Sequence, residues 1–392
     1  MTESCDVAIV GAGLVGTSLA LALEHSGLSV ALIEPRAPAA PAEAWDSRVY
    51  AISPGSAAFL DALAAWQDID TQRVARVETM RIFGDAPAAP LEFSAYDAGL
   101  RELAFIVENG RLQHALWQRL THAPHLRLQC PARCESLRQH ADYAAIALDG
   151  GVTLQAKLVV GADGADSWVR EQAGIKATVH NYPQCAVVAN FSSTLPHRQT
   201  ALQCFGAAGV LALLPLPGQR VSMVWSTPQA HAQELLALDA GELAHRVSAA
   251  AEGAAGYAIG ALEVITPAAA FPLRLQRVEA FVKPRLALVG DAAHNVHPLA
   301  GQGVNLGFRD ARELAAVLCA RGAQNDCGDY HLLRRYERAR KEDVLSMQLA
   351  TDGLQKLFAS QAVWLSRSRN LGLRAVQSQP LLKNLLVKHA VA

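Results

Sequence analysis

A glycine-rich turn near the start of the chain has the residue types and spacing of a phosphate-binding site. Gly11, Gly13 and Gly16 stand between a short apolar run at residues 6–10 and a stretch of helix-forming residues at 14–24. In this context the first glycine permits a tight turn, the second lets the backbone approach a pyrophosphate, and the third lets the helix pack closely against the strand. The phosphates would face the amides and the positive dipole end of the helix. The turn therefore predicts a dinucleotide-binding site, with a turn that binds nothing as the alternative.

A carboxylate follows at the distance where such a site holds the sugar of its nucleotide. Residues 28–34 form a second apolar run, which ends in Glu34. An acidic side chain about 20 residues after the glycines accepts hydrogen bonds from ribose hydroxyls, although a surface charge at a strand end would look the same in sequence. The predicted nucleotide-binding residues are Gly11, Ala12, Gly13, Leu14, Val15, Gly16, Glu34, Pro35 and Arg36.

Two later segments place an aspartate beside a glycine directly after an apolar run. They are Asp-Gly at 163–164 and Gly-Asp at 290–291. The second pair leads into residues 297–310, which read His-Pro-Leu-Ala-Gly-Gln-Gly-Val-Asn-Leu-Gly-Phe-Arg-Asp. The glycines at 301 and 303 keep side chains away, so that a bound ligand could touch the backbone there.

Together these segments resemble the flavoprotein aromatic hydroxylases, in which three such fingerprints occur in the same order. The run at 297–310 is similar to the one that distinguishes the FAD-dependent hydroxylases of ubiquinone biosynthesis from phenol and salicylate hydroxylases. Residues 46–48 and 107–109 are also similar to that family. The resemblance spans residues 6–310 and is weakest at 179–271.

The resemblance implies FAD as the tightly bound cofactor. Only one dinucleotide fingerprint is present, so the reductant, NAD(P)H or an electron-carrier protein, would bind transiently. In the family the Asp-Gly pair contacts both FAD and the nicotinamide donor, Arg48 lies over the flavin, and Asn109 or Arg111 lies near its dimethylbenzene-to-ribityl side. The predicted flavin-binding residues are thus Arg48, Asn109, Arg111, Asp163, Gly164, Gly290, Asp291, Pro298, Gly301, Gln302, Gly303, Val304 and Asn305.

Physical reasons support two of these placements. Asp291 follows a strand, where its carboxylate can accept hydrogen bonds from the ribityl hydroxyls of a flavin. A helix that begins near Gly303 would direct its positive end at the pyrimidine edge of the ring. That dipole would stabilise the anionic reduced flavin by about 0.3–1 kcal/mol, or more when partly buried.

His297 and Pro298 are the candidate catalytic positions at the flavin face. His294 and His297 resemble a catalytic pair, but the sequence shows no pattern of Asp or Ser partners around them. His297 is therefore either an acid–base group or a residue that packs and donates hydrogen bonds beside the flavin.

The resemblance implies an aromatic-ring monooxygenase. Reduced FAD would react with O2 to a C4a-hydroperoxyflavin, whose distal oxygen passes to the ring of a lipophilic, polyprenylated phenol or quinol of ubiquinone biosynthesis. The sequence has no nucleophile triad and no paired catalytic carboxylates, and we expect no metal site, which fits an enzyme whose cofactor carries the chemistry. Three alternatives stay open: a hydroxylase of a soluble aromatic acid, a flavin reductase of isoprenoid double bonds, and a flavin-bound non-catalytic subunit of a biosynthetic complex.

The elements that must position these residues predict an α/β fold. A Rossmann-like parallel sheet binds FAD, and an antiparallel-sheet substrate domain is inserted into it, as in the aromatic hydroxylase (PHBH-like) fold. The runs at 103–107 and 157–160 are predicted as later strands of the parallel sheet. Between 179 and 271, short strand-like runs alternate with Pro and Gly, without intervening long helices, and 215–218 predicts a hairpin turn.

The predicted division of the chain is discontinuous. The FAD-binding domain takes 1–75, 101–178 and 272–340, the substrate domain takes 76–100 and 179–271, and a helical C-terminal segment takes 341–392. From Asp310 onward the pattern is helical, with a break around 322–328.

Composition excludes some classes of function. The net charge of −1 over 392 residues gives no general attraction to nucleic acid. Seven scattered cysteines indicate reduced thiols in a cytoplasmic protein. The apolar stretch at 7–23 is flanked by Glu3 and Asp6 and is interrupted by glycines, which argues against a signal peptide.

The C-terminal tail, residues 353–392, has its own composition. It carries six basic residues and no acidic one, interleaved with Leu, Phe, Val and Trp. Such a pattern favours peripheral contact with an anionic lipid surface at the inner face of the membrane, while helices that merely cap the FAD-binding domain are the alternative. Other proteins of ubiquinone biosynthesis and a second copy of the chain stay open as partners.

Overall fold

The chain begins with the strand–helix–strand unit that the glycine spacing predicts. The computed structural model describes residues 1–84, 90–206, 208–255, 260–295, 303–322 and 325–359. Its strands are β1 (Thr2–Val10), β2 (Val30–Ile33), β3 (Val49–Ile52), β4 (Ala75–Val77), β5 (Thr79–Phe83), β6 (Leu91–Ser94), β7 (Ala104–Glu108), β8 (Leu126–Gln129), β9 (Cys134–Gln139), β10 (Ala144–Leu148), β11 (Thr153–Gly161), β12 (Ala177–Ser193), β13 (Thr200–Gly206), β14 (Gly209–Leu216), β15 (Arg220–Pro228), β16 (Leu262–Val264), β17 (Ala269–Val278), β18 (Val282–Lys283), β19 (Leu286–Leu288) and β20 (His294–Asn295).

The helices fill the connections between these strands. They are α1 (Leu14–Ala22), α2 (Pro54–Ala62), α3 (Asn109–Leu120), α4 (Trp168–Gln172), α5 (Gln229–Ala237), α6 (Ala240–Ala255), α7 (Gly303–Cys319) and α8 (Tyr330–Ala359). Short 3-10 turns occur at Trp66–Asp68, Thr71–Arg73 and Gly290–Ala292.

The first sheet has the strand order β18-β19-β11-β1-β2-β8. From β19 to β8 the neighbouring strands run parallel, and β10 and β9 join β11 in antiparallel pairing. The last four residues of β1 and all four residues of β2 are apolar and buried, as expected for parallel strands that are covered on both faces. The segments that follow β1, β2, β11 and β19 all leave the sheet at the same edge.

One predicted strand belongs to a different sheet. The run at 103–107 forms β7, which pairs antiparallel with β3 and β4 in a small three-stranded sheet, so its assignment to the parallel sheet is wrong. The neighbour of β2 in the parallel sheet is β8 instead. A short apolar run identifies a buried strand but not its partner, which explains the error.

The second large sheet confirms the predicted antiparallel insertion. Its order is β20-β17-β12-β15-β14-β13-β5-β6, and β16 pairs with β12. The turn between β14 and β15 contains Gly218, as the hairpin prediction requires. The sheet extends to β17 and β20, and the domain division given above stays a prediction.

The expected lack of long helices in this insertion is wrong. Helices α5 and α6 cover one face of the second sheet, where Phe191, Met223 and Trp225 form its core. The signal was present in the sequence, because Leu243, Ala244, Val247 and Ala251 recur at helical spacing and are buried on α6.

Two helices close the described chain. Helices α7 and α8 are separated by a break at the predicted position, and they pack against each other and against the first sheet. In the part of the chain that the structure describes, no helix has the length and hydropathy needed to cross a bilayer. Residues 360–392, most of the tail singled out above, lie outside the described residues.

Candidate functional site: one edge of the parallel sheet and the facing strands

Four of the predicted site segments meet at one edge of the parallel sheet. Gly11 follows β1, Glu34 follows β2, Asp163 follows β11 and Asp291 follows β19. In open α/β sheets, ligands bind outside the carboxyl ends of the strands. The topology therefore brings together the fingerprints that lie far apart in sequence.

The three glycines have different tasks. Gly11 has φ +101°, and a Cβ there would lie 2.5 Å from the carbonyl oxygen of Ala162. A Cβ on Gly16 would lie 1.9 Å from the carbonyl oxygen of Gly11. Gly13 is different, since a Cβ there would meet no atom within 4 Å. Gly11 and Gly16 are thus required by the fold itself, and Gly13 faces open space.

That open space fits a phosphate. Gly13 caps α1, no side chain caps this helix end, and its first turn has no acidic residue. The amides of the first turn are therefore left for a ligand, at the positive end of the helix dipole. The residues present fit the pyrophosphate of a dinucleotide.

Glu34 joins the end of β2 to the glycine turn. Its Oε2 accepts a hydrogen bond of 2.7 Å from the amide of Ala12, and its Oε1 accepts one of 3.3 Å from the amide of Arg36. Gln113 supports the same turn by donating to the carbonyl oxygen of Ala12 at 2.7 Å. A carboxylate has about four lone-pair sites, so Glu34 keeps acceptor capacity for ribose hydroxyls.

The Glu34 contact gives a test of which flavin the protein holds. We expect the protein as purified to release FAD and not FMN, because FMN lacks the adenosine part that Glu34 would contact. Glu34→Ala should raise the Kd for FAD about 10- to 150-fold, since a hydrogen bond to a charged group contributes about 1.5–3 kcal/mol. Titration of apoprotein by flavin fluorescence measures this, with Glu24→Ala, an exposed carboxylate in the turn between α1 and β2, as control. Release of FMN would contradict the assignment.

Asp163 holds the start of α4, whose N-cap is Ser167. Its carboxylate accepts hydrogen bonds from the Ser167 hydroxyl at 2.5 Å and from the Val169 amide at 2.9 Å. Burial raises the pKa of this carboxyl, and these hydrogen bonds oppose that shift. Gly164 has φ +84°, and a Cβ there would meet nothing within 4 Å. The pair therefore lies at the predicted edge, with its carboxylate directed at the start of α4.

Arg48 lies near enough to Asp291 to interact with its carboxylate. The Arg48 guanidinium lies 5.4 Å from the ring centroid of Tyr50 and 5.8 Å from that of Phe271. Phe271, on β17, is 41% exposed. Asp291 has solvent-accessible surface. Neighbouring protein atoms still displace part of the water around its carboxyl, which raises the pKa of that group, whereas His294 and Arg48 lower it. A cation and a carboxylate thus lie beside an exposed aromatic ring.

Glu108, which lies in the family-like stretch at 107–109 but is not among the predicted site residues, holds the loop before Arg48. Glu108 is 2% exposed and accepts hydrogen bonds from Arg73 at 2.7 and 2.8 Å, from Arg111 at 3.2 Å and from the amide of Asp46 at 2.7 Å. The sequence offered one signal for such a role, because Glu108 is a charged residue directly after the apolar run at 103–107. Arg111, predicted to contact the flavin, thus donates to Glu108 and to the carbonyl oxygen of Ala42.

The neighbouring predicted residues are held by backbone contacts. Asn109 begins α3, and its amide donates to the carbonyl oxygen of Arg48 at 2.9 Å. Asn305, on α7, is fully buried and binds the backbone beside β3: its Nδ2 donates to the carbonyl oxygen of Ala51 at 2.8 Å, and its Oδ1 accepts from the amide of Ser53 at 2.9 Å. Its amide group thus joins α7 to β3.

The remaining predicted residues that the structure describes lie on or beside α7. Gly290 has φ +60° and packs against Val15, since a Cβ there would lie 3.2 Å from Val15 Cγ2. Gly303 begins α7 and has open space around it, and Val304 packs against the apolar core around the parallel sheet. The other predicted residues of this segment, His297, Pro298, Gly301 and Gln302, lie outside the described residues.

His294 has an acidic partner, so the expectation that none is near it is wrong. Its Nε2 lies 2.6 Å from Oδ2 of Asp310, and both side chains are buried. Asp310 is on α7, a different element, and no local spacing in the sequence could reveal the pair.

The face of the second sheet that lies opposite α5 and α6 meets this edge. Side chains alternate along the strands, so Val188 and Val224 point away from the helix-covered core, on the same face as Phe271. On that face Asn190 donates to the carbonyl oxygen of Asp46 at 2.8 Å. A mainly apolar sheet face therefore lies next to the candidate cofactor edge, which suits an apolar substrate.

Comparison with known proteins agrees with this geometry. Residues 4–348 match the family described as FAD binding domain. The ubiquinone hydroxylase UbiL of Rhodospirillum rubrum is 38% identical over 98% of this chain and 89% of its own length. The 3-demethoxyubiquinol 3-hydroxylase of Escherichia coli is 36% identical over 99% of both chains. The crystal structure of PqsL from Pseudomonas aeruginosa, in complex with 2-aminobenzoylacetate, has the same fold, with a TM-score of 0.79 at 22% identity over 95% of this chain and all of that one.

Proposed function

Because the chain belongs to the family of FAD-dependent hydroxylases of ubiquinone biosynthesis, we propose that its substrate is a polyprenylated phenol or quinol intermediate of that pathway. The chain is a flavin-dependent aromatic-ring monooxygenase, which incorporates one oxygen atom of O2. The names of the two relatives, a ubiquinone hydroxylase and a 3-demethoxyubiquinol 3-hydroxylase, support this class of substrate.

One structural observation carries the proposal. The glycine turn, Glu34 and Asp291 lie along one edge of the parallel sheet, and an apolar face of the second sheet lies beside that edge. Such an arrangement can hold a long cofactor along the edge and an apolar aromatic molecule against the facing strands.

The chain's own residues bind, orient and exclude water. Glu34 and the first-turn amides of α1 would hold the adenosine diphosphate part of FAD, and Asp291 would accept hydrogen bonds from its ribityl chain. Bound FAD supplies the reaction with O2. The apolar face with Val188 and Val224 would keep water away from the ring of the substrate. Water at that place would hydrolyse reactive species before they could react with the ring.

Product analysis under ¹⁸O2 tests the proposal. Holoenzyme with NADH or NADPH is offered a prenylated phenol and, separately, a soluble aromatic acid. We expect one ¹⁸O atom in the prenylated product. Labelled aromatic acid alone would favour a hydroxylase of soluble acids, and reduced prenyl double bonds without label would favour a reductase. No turnover with either reductant or a ferredoxin system would favour the non-catalytic subunit. The quinone precursor that accumulates in a deletion strain then identifies the ring position.

The substrate must leave a bilayer or a lipid-binding partner, so we also propose peripheral membrane contact through residues 353–392. Full-length protein should float with anionic liposomes at low salt and less so at high salt, since each basic residue near the surface contributes about 1 kcal/mol. Changing the six basic residues to Gln (Lys356, Arg367, Arg369, Arg374, Lys383 and Lys388) should abolish flotation. The matched control changes six exposed arginines elsewhere: Arg76, Arg101, Arg133, Arg138, Arg198 and Arg246. Equal flotation of all three proteins would exclude this contact.

A further inference from the structure

The turn that carries Asp291 is held from behind by a buried carboxylate. Oδ2 of Asp310 accepts hydrogen bonds from the amide of Gly290 at 2.9 Å and from His294 Nε2 at 2.6 Å. These two residues flank Asp291 on either side. Asp310 itself is completely buried, so its contacts are fixed by packing.

Helix α8 holds Asp310 in turn. Arg340 Nε lies 2.7 Å from Oδ1 of Asp310, and Arg340 Nη1 lies 2.6 Å from Oδ2 of Asp343. Burial opposes ionisation of Asp310, but His294 and Arg340 lower the pKa of its carboxyl below the ordinary value. Asp310 is therefore a charged acceptor at neutral pH, and charge-assisted hydrogen bonds of this kind are the strong ones.

The same helix holds the other end of the turn. Gln348 Nε2 donates to the carbonyl oxygens of Gln276 at 2.9 Å and of Asn295 at 3.2 Å. Gln276 in turn donates from Nε2 to the carbonyl oxygen of Asp291 at 3.0 Å. Buried side chains thus fix the backbone of the turn at Gly290, at Asp291 and at Asn295.

Stability alone does not account for this arrangement. A buried ion pair contributes little net stability compared with apolar residues of the same volume. The hydrogen bonds of Asp310 are directional, and two of them come from Gly290 and His294, which lie on either side of Asp291. Such bonds restrict where the exposed Asp291 carboxylate can point.

We propose that Asp310 is a positioning residue, which, held by Arg340, sets the Gly290–Asp291 turn so that the Asp291 carboxylate meets the ribityl chain of FAD. The proposal rests on the flavin function proposed above. Asp310 contacts neither cofactor nor substrate and acts through Asp291.

A double-mutant cycle tests this. Asp291→Ala, Asp310→Asn and the double variant are compared by the Kd for FAD, the visible flavin spectrum and the melting temperature of the apoprotein. Asp310→Asn keeps the size of the side chain but loses an acceptor and the charge. We expect it to raise the Kd at least tenfold and to shift the flavin absorption band. In the Asp291→Ala background it should add little, because residues that act through one another are not additive.

Two further variants separate positioning from stability. Tyr336→Phe removes a buried hydrogen bond of 2.8 Å from α8 to the carbonyl oxygen of Leu288, so it should lower the melting temperature and leave the Kd and spectrum unchanged. If Asp310→Asn does not fold, Arg340→Lys, which keeps the charge beside Asp310, should give a smaller shift in the same direction.

The outcomes are distinct. Full additivity in the cycle overturns the positioning role, and so does a Tyr336→Phe variant whose Kd and spectrum shift together with its melting temperature as those of Asp310→Asn do. A wild-type protein that binds no FAD overturns the proposed function instead.

Discussion

Gly16→Ala is expected to destabilise the apoprotein, whereas Gly13→Ala is expected to leave it stable and to weaken its binding of FAD. A Cβ on Gly16 would lie 1.9 Å from the carbonyl oxygen of Gly11, and a backbone atom cannot move aside without displacing α1 from β1. Overpacking of this severity costs about 3 kcal/mol. On Gly13, which has φ −69°, a Cβ meets no protein atom, so only the bound phosphate would be displaced.

The two variants are measured side by side. Urea unfolding of the apoproteins should show a lower free energy of unfolding for Gly16→Ala alone. Titration with FAD should show a Kd about 10- to 100-fold higher for Gly13→Ala, equivalent to about 1.4–2.8 kcal/mol of binding free energy. If Gly13→Ala binds FAD as the wild type does, the pyrophosphate does not lie at the start of α1.

The second large effect is expected at Glu108. Glu108→Ala leaves Arg73, whose side chain is largely buried, without its carboxylate partner, and it frees the amide of Asp46. Breaking a buried pair by removing one partner costs about 3–5 kcal/mol. Because this carboxylate also holds the loop that leads to Arg48, limited proteolysis should cut the variant between residues 37 and 48 much faster than the wild type.

The control is an ion pair of similar length at the surface. Arg81 Nε and Glu92 Oε2 are 2.7 Å apart, but both side chains are about one-third exposed. Exposed pairs contribute about 0–1 kcal/mol, so Glu92→Ala should change the free energy of unfolding little and leave the proteolysis pattern unchanged. Equal effects of the two substitutions would contradict the role assigned to Glu108.

Local spacing explains what the sequence could predict. The turn at Gly11–Gly16 and the strands around it are specified within about 30 residues of chain, and the structure confirms β1, α1 and β2 there. The antiparallel insertion was equally visible, because short strands between Pro and Gly residues leave few other arrangements.

Long-range partners explain what the sequence could not predict. The partners of β7 are β3 and β4, and an apolar run does not encode which strand it will join. Asp310 meets His294 only because α7 folds back over the Gly290 turn. Glu108 meets Arg73, which lies 35 residues earlier, in the same way, whereas Arg111 is its local i,i+3 neighbour. Such contacts depend on packing, and no fixed spacing reveals them.

The length of α8 decides how far the chain can be shortened. The helix runs without interruption from Tyr330 to Ala359, and Gln348 lies about 16 Å before its end at 1.5 Å per residue. A chain cut after residue 359 keeps every buried contact of this helix described above. A chain cut before residue 348 loses the side chain that clamps β17 to β20, and with it one support of the turn at Asp291. Truncation, a routine step in making a protein easier to handle, would therefore weaken flavin binding although the cut lies far from the flavin. A loss of colour in such a variant would be caused by the truncation and not by a change in the cofactor site.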